Sequence, residues 1–111
     1  MKSTTKIALS IAALFLTAGV ALAAPAAENW DNLCASCHGA DGKGLTKSGK
    51  KLKLRDYTDP KVQAEMKDEE MCKAIADGVK IDGKEKMKPF KEEISAEEIK
   101  DLVDYIRKLK A

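Results

Sequence analysis

The sequence contains the run Cys34-Ala35-Ser36-Cys37-His38, which limits the folds open to this chain. Two thiols three residues apart lie about one helical turn apart, so each can form a thioether with one vinyl group of the same porphyrin. The imidazole of His38, next in sequence, would then lie beneath the iron as an axial ligand. The run therefore predicts covalent attachment of one haem c, around which the rest of the chain must fold.

Three other interpretations use the same residues and stay open on the sequence alone. Three cysteines and a histidine can hold structural zinc, and here the set would comprise Cys34, Cys37, Cys72 and His38, although the neighbours Cys37 and His38 have diverging side chains. Cys34 and Cys37 could instead form a redox dithiol, although no strand-like alternation precedes them. The simplest alternative is a structural disulfide between these two cysteines.

Residues 1–23 have the pattern of a secretory signal peptide. Two lysines precede a long apolar run, and Ala21-Leu22-Ala23 supplies an A-x-A cleavage site. We expect cleavage at the end of this motif and a mature domain of residues 24–111 in a bacterial periplasm. The alternative is a retained membrane anchor, because the apolar run lies at the short end of the length that spans a bilayer.

The charge and size of the mature domain limit its function. The full chain has 20 basic and 18 acidic residues, but Lys2 and Lys6 belong to the expected leader, which leaves 18 of each. A neutral total gives no electrostatic drive toward nucleic acid. A domain this small also has a thin hydrophobic core and often needs a covalent or metal staple, so we expect the apoprotein to be poorly folded.

Helix signals divide the mature domain into short segments. A first helix is expected over residues 25–33, with Trp30 in the core near the haem. An Asp-Pro pair begins a second helix over residues 60–66, and Asp68 is the expected N-cap of a third that ends at Asp77. These lengths are typical of a small all-α domain.

The last helix carries the clearest signals. Ser95 is its expected N-cap, and Glu98 completes a capping box three residues on. Apolar residues then recur at helical spacing and form one stripe: Ile99, Leu102, Val103, Ile106 and Leu109. We expect this helix to cross the Trp30 helix, with Tyr105 nearby.

A sixth iron ligand must be of another residue type, since His38 is the only histidine. Methionine is the soft alternative, and Met/His ligation raises the reduction potential of haem. Met66 and Met71 lie on predicted helices, where methionine usually fills the core. Met87 lies in an expected irregular stretch between helices, so we predict that Met87 binds the iron. The alternative is an open iron site, as in a haem enzyme or gas-binding protein.

The remaining cysteine, Cys72, is left over if haem uses two thiols. We predict that it acts as a small, buried apolar residue. A disulfide with a second chain is the alternative in an oxidising compartment.

Two basic surfaces are candidates for partner docking. Six basic residues occur between Lys43 and Arg55 without an acidic one, which indicates either a solvated face or a docking surface for an acidic redox partner. Lysines also surround Met87, and we expect redox partners to dock on that side. These lysines are Lys80, Lys84, Lys86, Lys88 and Lys91.

With these motifs in place, the chain resembles the small, single-haem class I c-type cytochromes of bacteria over nearly the whole mature domain. The most specific parts are Cys34–Gly39, Met87-Lys88-Pro89-Phe90 and the capped Ile99–Leu109 helix. The resemblance implies an all-α fold of about four to five short helices around one haem c. It also implies thioether bonds at Cys34 and Cys37 and axial ligation by His38 and Met87.

The resemblance further implies a carrier of single electrons rather than an enzyme. Its partners would be redox proteins, including a membrane-bound reductase or oxidase, without nucleic acid or a small-molecule substrate. Trp30, Pro89 and Phe90 would line the haem pocket.

The chain departs from the family pattern in two places. Lys88 follows the methionine directly, where many members have proline. No proline lies between His38 and Pro60, although many members use a proline carbonyl there to orient the histidine. We therefore expect another backbone carbonyl to accept the imidazole N–H.

Overall fold

The computed structural model describes residues 23–111, so the expected leader lies outside the described residues except for Ala23. The first of five helical segments consists of α1 (Ala26–Asn29), a π-helical turn (Trp30–Cys34) and α2 (Ala35–His38). The chain continues through α3 (Lys47–Leu52), α4 (Pro60–Glu65), α5 (Asp68–Asp77), strands β1 (Val79–Ile81) and β2 (Lys84–Met87), and α6 (Ala96–Lys108). The prediction of a helical fold is confirmed.

The first segment and α6 form the centre of the core. The predicted capping box of α6 is present, since Ser95 accepts from the Glu98 N–H and the Glu98 side chain accepts from the Ser95 N–H. Glu98 also accepts a 2.8 Å hydrogen bond from Asn29, which fixes the start of α6 against α1. Trp30 packs on Tyr105 with ring centroids 5.5 Å apart. The predicted crossing of these two helices is therefore confirmed.

The core consists of apolar side chains from the first segment, α5, α6 and the chain between them. Trp30 and Leu102 are its most enclosed members, each with 1% of its surface exposed. The other members are Cys34, Met71, Ile75, Phe90, Ile94, Ile99, Val103 and Ile106. The apolar stripe predicted for α6 is buried from Ile99 to Ile106, as the helical spacing requires.

The stretch before Met87 is a hairpin, whereas the sequence analysis expected an irregular loop. Strands β1 and β2 pair antiparallel, with Val79 opposite Met87 and one extra residue on β2. Asp82 and Gly83 turn the chain with φ of +52° and +74°. Positive φ at both central residues is what a type I′ turn needs, and Asp-Gly is a favoured pair for it.

Two helix starts also differ from expectation. Lys67, not Asp68, is the N-cap of α5, and Asp68 is the first helical residue. Asp68 lies in the acidic first turn, where a carboxylate interacts favourably with the helix dipole. Helix α3 was not predicted because its sequence reads as a charge run, but Thr46 caps it by accepting from the Gly49 N–H. No helix within residues 23–111 has the length and apolar character needed to cross a bilayer.

Candidate haem site

The Cys34–His38 run lies where the first helical segment ends. Gly39 ends the segment with a φ of +85°, a conformation that favours glycine. The Trp30 indole N–H donates to the Gly39 carbonyl over 3.0 Å, which ties this end to the core. Cys34 is buried, and Cys37 is half-buried on the following turn. The segment therefore presents two thiols beside the histidine, and the thiol of Cys37 is more accessible than that of Cys34.

The imidazole of His38 is held between two aromatic rings. Its centroid lies 5.7 Å from that of Trp30 and 5.2 Å from that of Tyr57, on which it stacks at 24°. Burial lowers its pKa below the usual value, so the ring is neutral at neutral pH and able to bind a metal. Nδ1 is fully buried and makes no hydrogen bond within the described residues. The expected carbonyl acceptor is therefore not found there, and the contacts of the ring are those with Trp30 and Tyr57.

The loop after the motif packs directly against it. Gly44 donates its N–H to the His38 carbonyl over 2.8 Å, and the Thr46 hydroxyl donates to the Cys37 carbonyl over 2.5 Å. These bonds satisfy carbonyls that a helix end leaves without partners. Gly49 of α3 lies so close that an added Cβ would be 2.6 Å from the Cys37 carbonyl oxygen. The backbone of the motif is thus fixed from outside by α3.

A cleft of about 250 Å³ opens beside this motif. Cys34 and His38 line it together with Met87 from the end of β2, and Met66 and Met71 line it as well. Its other walls include apolar core residues of α5 and α6. They also include two basic and two acidic residues: Arg55, Lys67, Glu65 and Glu70. A mostly apolar cleft with a few polar groups is typical of a cofactor site.

The main chain around Met87 is fastened to the end of α5. Met87 pairs with Val79 across the hairpin, and Phe90 donates its N–H to the Ile75 carbonyl over 2.9 Å. Gly78 turns the chain between α5 and β1 with a φ of +76°, and a Cβ there would lie 2.5 Å from the Met87 carbonyl oxygen. Glycine at this position therefore permits the close approach that places Met87 at the cleft.

We expect Gly78→Ala to lower the free energy of unfolding by about 3 kcal/mol, because alanine adds strain at positive φ and a clash with the Met87 carbonyl. Gly83 is a matched control, since its φ is +74° and an added Cβ would have nothing within 4 Å. Gly83→Ala should cost only the strain, about 1 kcal/mol. Denaturant unfolding of both variants measures the difference, and equal losses would contradict the close approach at Gly78.

The family model for cytochrome c oxidase, cbb3-type, subunit III matches residues 21–106. The chain belongs to this family of c-type cytochromes. The cytochrome is similar to the solved KustC0563 c-type cytochrome at 34% identity and a TM-score of 0.71, over 79% of this chain and 100% of that one. A tyrosine-to-phenylalanine variant of Kustc0563 matches at 34% identity and a TM-score of 0.68, over 78% and 100% of the two chains. No curated protein matches the sequence significantly.

Family membership confirms the resemblance to small monohaem cytochromes, and with it a covalently bound haem c and a role in electron transport. The residues of the cleft fit this group. A buried thiol and a neutral imidazole lie on one wall, a thioether lies at the end of β2, and the walls between them are largely apolar. The cleft can therefore enclose a large apolar ring and offer it sulfur and nitrogen ligands.

The alternative chemistries of the cysteines gain no support. No group of three or more His, Cys, Asp or Glu side chains comes together to hold a metal ion within residues 23–111, so the zinc set is not formed there. Cys34, Cys37 and Cys72 form no disulfide within the described residues. Burial, and then the neighbouring Cys37, raise the pKa of Cys34 to about 11, whereas a redox dithiol needs a lowered pKa.

Cys72 was expected to be a small, buried apolar residue. In the structure it is partly buried and packs against the core.

Of the three residues predicted to line the haem pocket, the structure places one at the cleft and two away from it. Trp30 lines the cleft. Phe90 is buried in the core but does not line the cleft, and Pro89 is exposed. Tyr57, which stacks on His38 and lines the cleft, was missed by the sequence analysis. Its one signal was an isolated aromatic residue at the end of a basic segment.

Proposed function

We propose that this cytochrome is a periplasmic carrier of single electrons, with thioether bonds from Cys34 and Cys37 and with His38 and Met87 as axial ligands. The observation that carries the proposal is that Cys34, His38 and Met87 line the same cleft. When bound, haem c supplies an iron that alternates between ferric and ferrous states and so stores one electron. Two protein ligands would leave no iron site for a substrate, which favours a carrier over an enzyme.

The surrounding residues would hold the group and keep water away. Cys34 and Cys37 would fix its edge, and Trp30 and Tyr57 would keep the His38 ring in one orientation by contact. The apolar walls from α5 and α6 would lower the local dielectric constant, which disfavours the more highly charged ferric state. Arg55 is paired with Glu65 on the wall of the cleft, so Lys67 is the cation that would offset a carboxylate of the porphyrin.

The choice of Met87 over the other two methionines rests on what those residues already do. Met71 has 9% of its surface exposed and packs in the core from α5. Met66 is the C-cap of α4, and its carbonyl accepts a hydrogen bond from Arg107. Met87 lies at the end of a hairpin strand and belongs to the Met87–Phe90 motif that the family resemblance rests on. We therefore assign the sixth ligand to Met87.

Expression of the whole chain in a bacterium that attaches haem tests the compartment and the attachment together. We expect the protein in the periplasmic fraction, with a mass equal to residues 24–111 plus one haem. Recovery in the membrane fraction with the leader still present would support the anchor alternative instead. A mass lacking the porphyrin would contradict the proposed thioether bonds.

Redox protein partners, including a membrane-bound reductase or oxidase, are proposed to dock on the hairpin side of the molecule. The hairpin presents exposed lysines around Ile81, which has 54% of its surface exposed. Such a mixture of positive charge and apolar contact suits an acidic partner. The second basic surface, residues 43–55, has a similar arrangement around Leu45, which is 64% exposed. The two surfaces need a direct comparison.

Matched charge reversals distinguish the two surfaces. We expect a triple variant of the hairpin to slow electron transfer with hexacyanoferrate, a small anionic reagent, about tenfold at low salt. Its substitutions are Lys80→Glu, Lys84→Glu and Lys86→Glu. The control variant of α3 should change the rate much less, and it carries Lys47→Glu, Lys50→Glu and Lys51→Glu. Stopped-flow rates at several ionic strengths measure this, and a larger effect of the α3 variant would contradict docking on the hairpin.

A further inference from the structure

The segment 55–67, which contains α4, forms one wall of the cleft. The buried core residues come from the first segment, α5, α6 and the chain between α5 and α6, and α4 supplies none of them. The buried residue of α4 is a polar one, Gln63, with 5% of its surface exposed. Tyr57 and Met66 pack partly on the core at either end of α4. Hydrogen bonds must therefore fasten the middle of this wall.

Both polar atoms of the Gln63 side chain form hydrogen bonds, and these bonds reach two parts of the chain. Its amide nitrogen donates to the Tyr57 carbonyl over 2.6 Å and to the Ile106 carbonyl of α6 over 2.8 Å. Its amide oxygen accepts from the Arg107 guanidinium over 3.0 Å. A buried amide with these partners is rigid. Removing it would take the donor from the Tyr57 carbonyl, whereas the Ile106 carbonyl also accepts from the Leu109 N–H.

Arg107, in the last turn of α6, completes the connection. Its guanidinium donates to the Gln63 carbonyl over 2.6 Å and to the Met66 carbonyl over 2.7 Å. It also donates to Asp68 at the start of α5 over 2.8 Å. The carbonyls at the end of a helix lack partners within that helix. Arg107 supplies such partners to α4 from a different helix, which the planar five-donor guanidinium is suited to do.

We propose that Gln63 and Arg107 are positioning residues for the haem site: they fasten the 57–67 wall to α6 and so keep water out of the cleft. The inference rests on the cleft being the haem site. Neither side chain would touch the iron. Their effect would pass through the main chain of Tyr57, which stacks on His38, and of Met66, which lines the cleft. A loosened wall would admit water, stabilise the ferric state and lower the reduction potential.

Two variants and a matched control test the fastening in the haem-loaded protein. Arg107→Gln removes the guanidinium, and Lys108→Gln removes the same charge from the exposed neighbouring position. Gln63→Met removes the amide without changing charge. We expect Arg107→Gln and Gln63→Met to speed amide hydrogen exchange across 57–67 about tenfold relative to α6. Both should lower the reduction potential measured by voltammetry, and Lys108→Gln should do neither.

Arg107→Lys separates hydrogen bonding from charge. Lysine keeps the charge but not the planar donors, so exchange across 57–67 should stay fast. Full recovery by Arg107→Lys would overturn the fastening, as would exchange and potential unchanged by Gln63→Met. A different observation tests the proposed ligation, which requires a methionine-to-iron band in the wild-type ferric spectrum. Amide exchange across 57–67 decides the fastening whether or not that band is present.

Discussion

Met87→Ala should abolish the methionine-to-iron charge-transfer band of the ferric cytochrome and let the ferrous form bind carbon monoxide. The reason is that the proposed sixth ligand would be gone and the iron would offer an open position. Loss of the thioether, which favours the ferrous state, should also lower the reduction potential by on the order of 100 mV. Absorption spectra and voltammetry measure all three effects, and this is the largest functional change we expect from one substitution.

The other two methionines of the cleft are the controls for this experiment. Met66→Ala should keep the charge-transfer band, because the segment around Met66 is held by its main-chain carbonyl. Met71→Ala should also keep the band while lowering the free energy of unfolding by about 2–5 kcal/mol, since Met71 is a core residue. A band that survives Met87→Ala but disappears with Met66→Ala would move the sixth ligand to Met66.

Without the covalently bound porphyrin, we expect this domain to lose its tertiary structure. Cys34→Ser combined with Cys37→Ser prevents thioether formation, and we expect the product to lack bound haem and a cooperative unfolding transition. The cleft of about 250 Å³ lies against the buried face of α6, so without its occupant the core would lose one side of its packing. In so small a domain that loss exceeds the usual margin of stability. Near-ultraviolet circular dichroism and denaturant unfolding measure the effect.

Cys72→Ser is the matched control for the double serine variant. It also removes a partly buried thiol, but Cys72 lies outside the cleft. We expect it to keep the covalent haem and a cooperative transition. A double serine variant that unfolds as cooperatively as the haem-loaded cytochrome would show that the polypeptide core is sufficient by itself.

The parts of the fold predicted from sequence are those encoded locally. The capping box of Ser95 and Glu98, followed by the apolar stripe, specifies α6 within fifteen residues, and the structure has it as expected. The hairpin was equally local, because Asp82-Gly83 is a strong turn signal. It was missed because its strands carry lysines and glutamate in place of the usual alternation of apolar and polar residues.

The residues of the candidate site also divide into those close together in sequence, which were predicted, and those far apart, which were not. Cys34, Cys37 and His38 form one contiguous motif, so their proximity follows from the helix alone. Tyr57 and the Gln63–Arg107 connection join residues far apart in sequence, and hydrogen bonds of this kind leave no periodic pattern. Only the folded chain reveals that a buried glutamine fastens the wall of the cleft.

The wide turn at Trp30–Cys34 has a geometric consequence for the side chains around it. In a regular α-helix, residues four apart overshoot a full revolution by about 40°, so residues eight apart diverge by about 80°. The longer-range bonding of a π-helical turn advances the chain through a smaller angle per residue and offsets this drift. Trp30, Cys34 and His38, spaced by four, therefore all face one side and line the same cavity. The single π-helical turn thus aligns an indole, a thiol and an imidazole on one side of the helical segment.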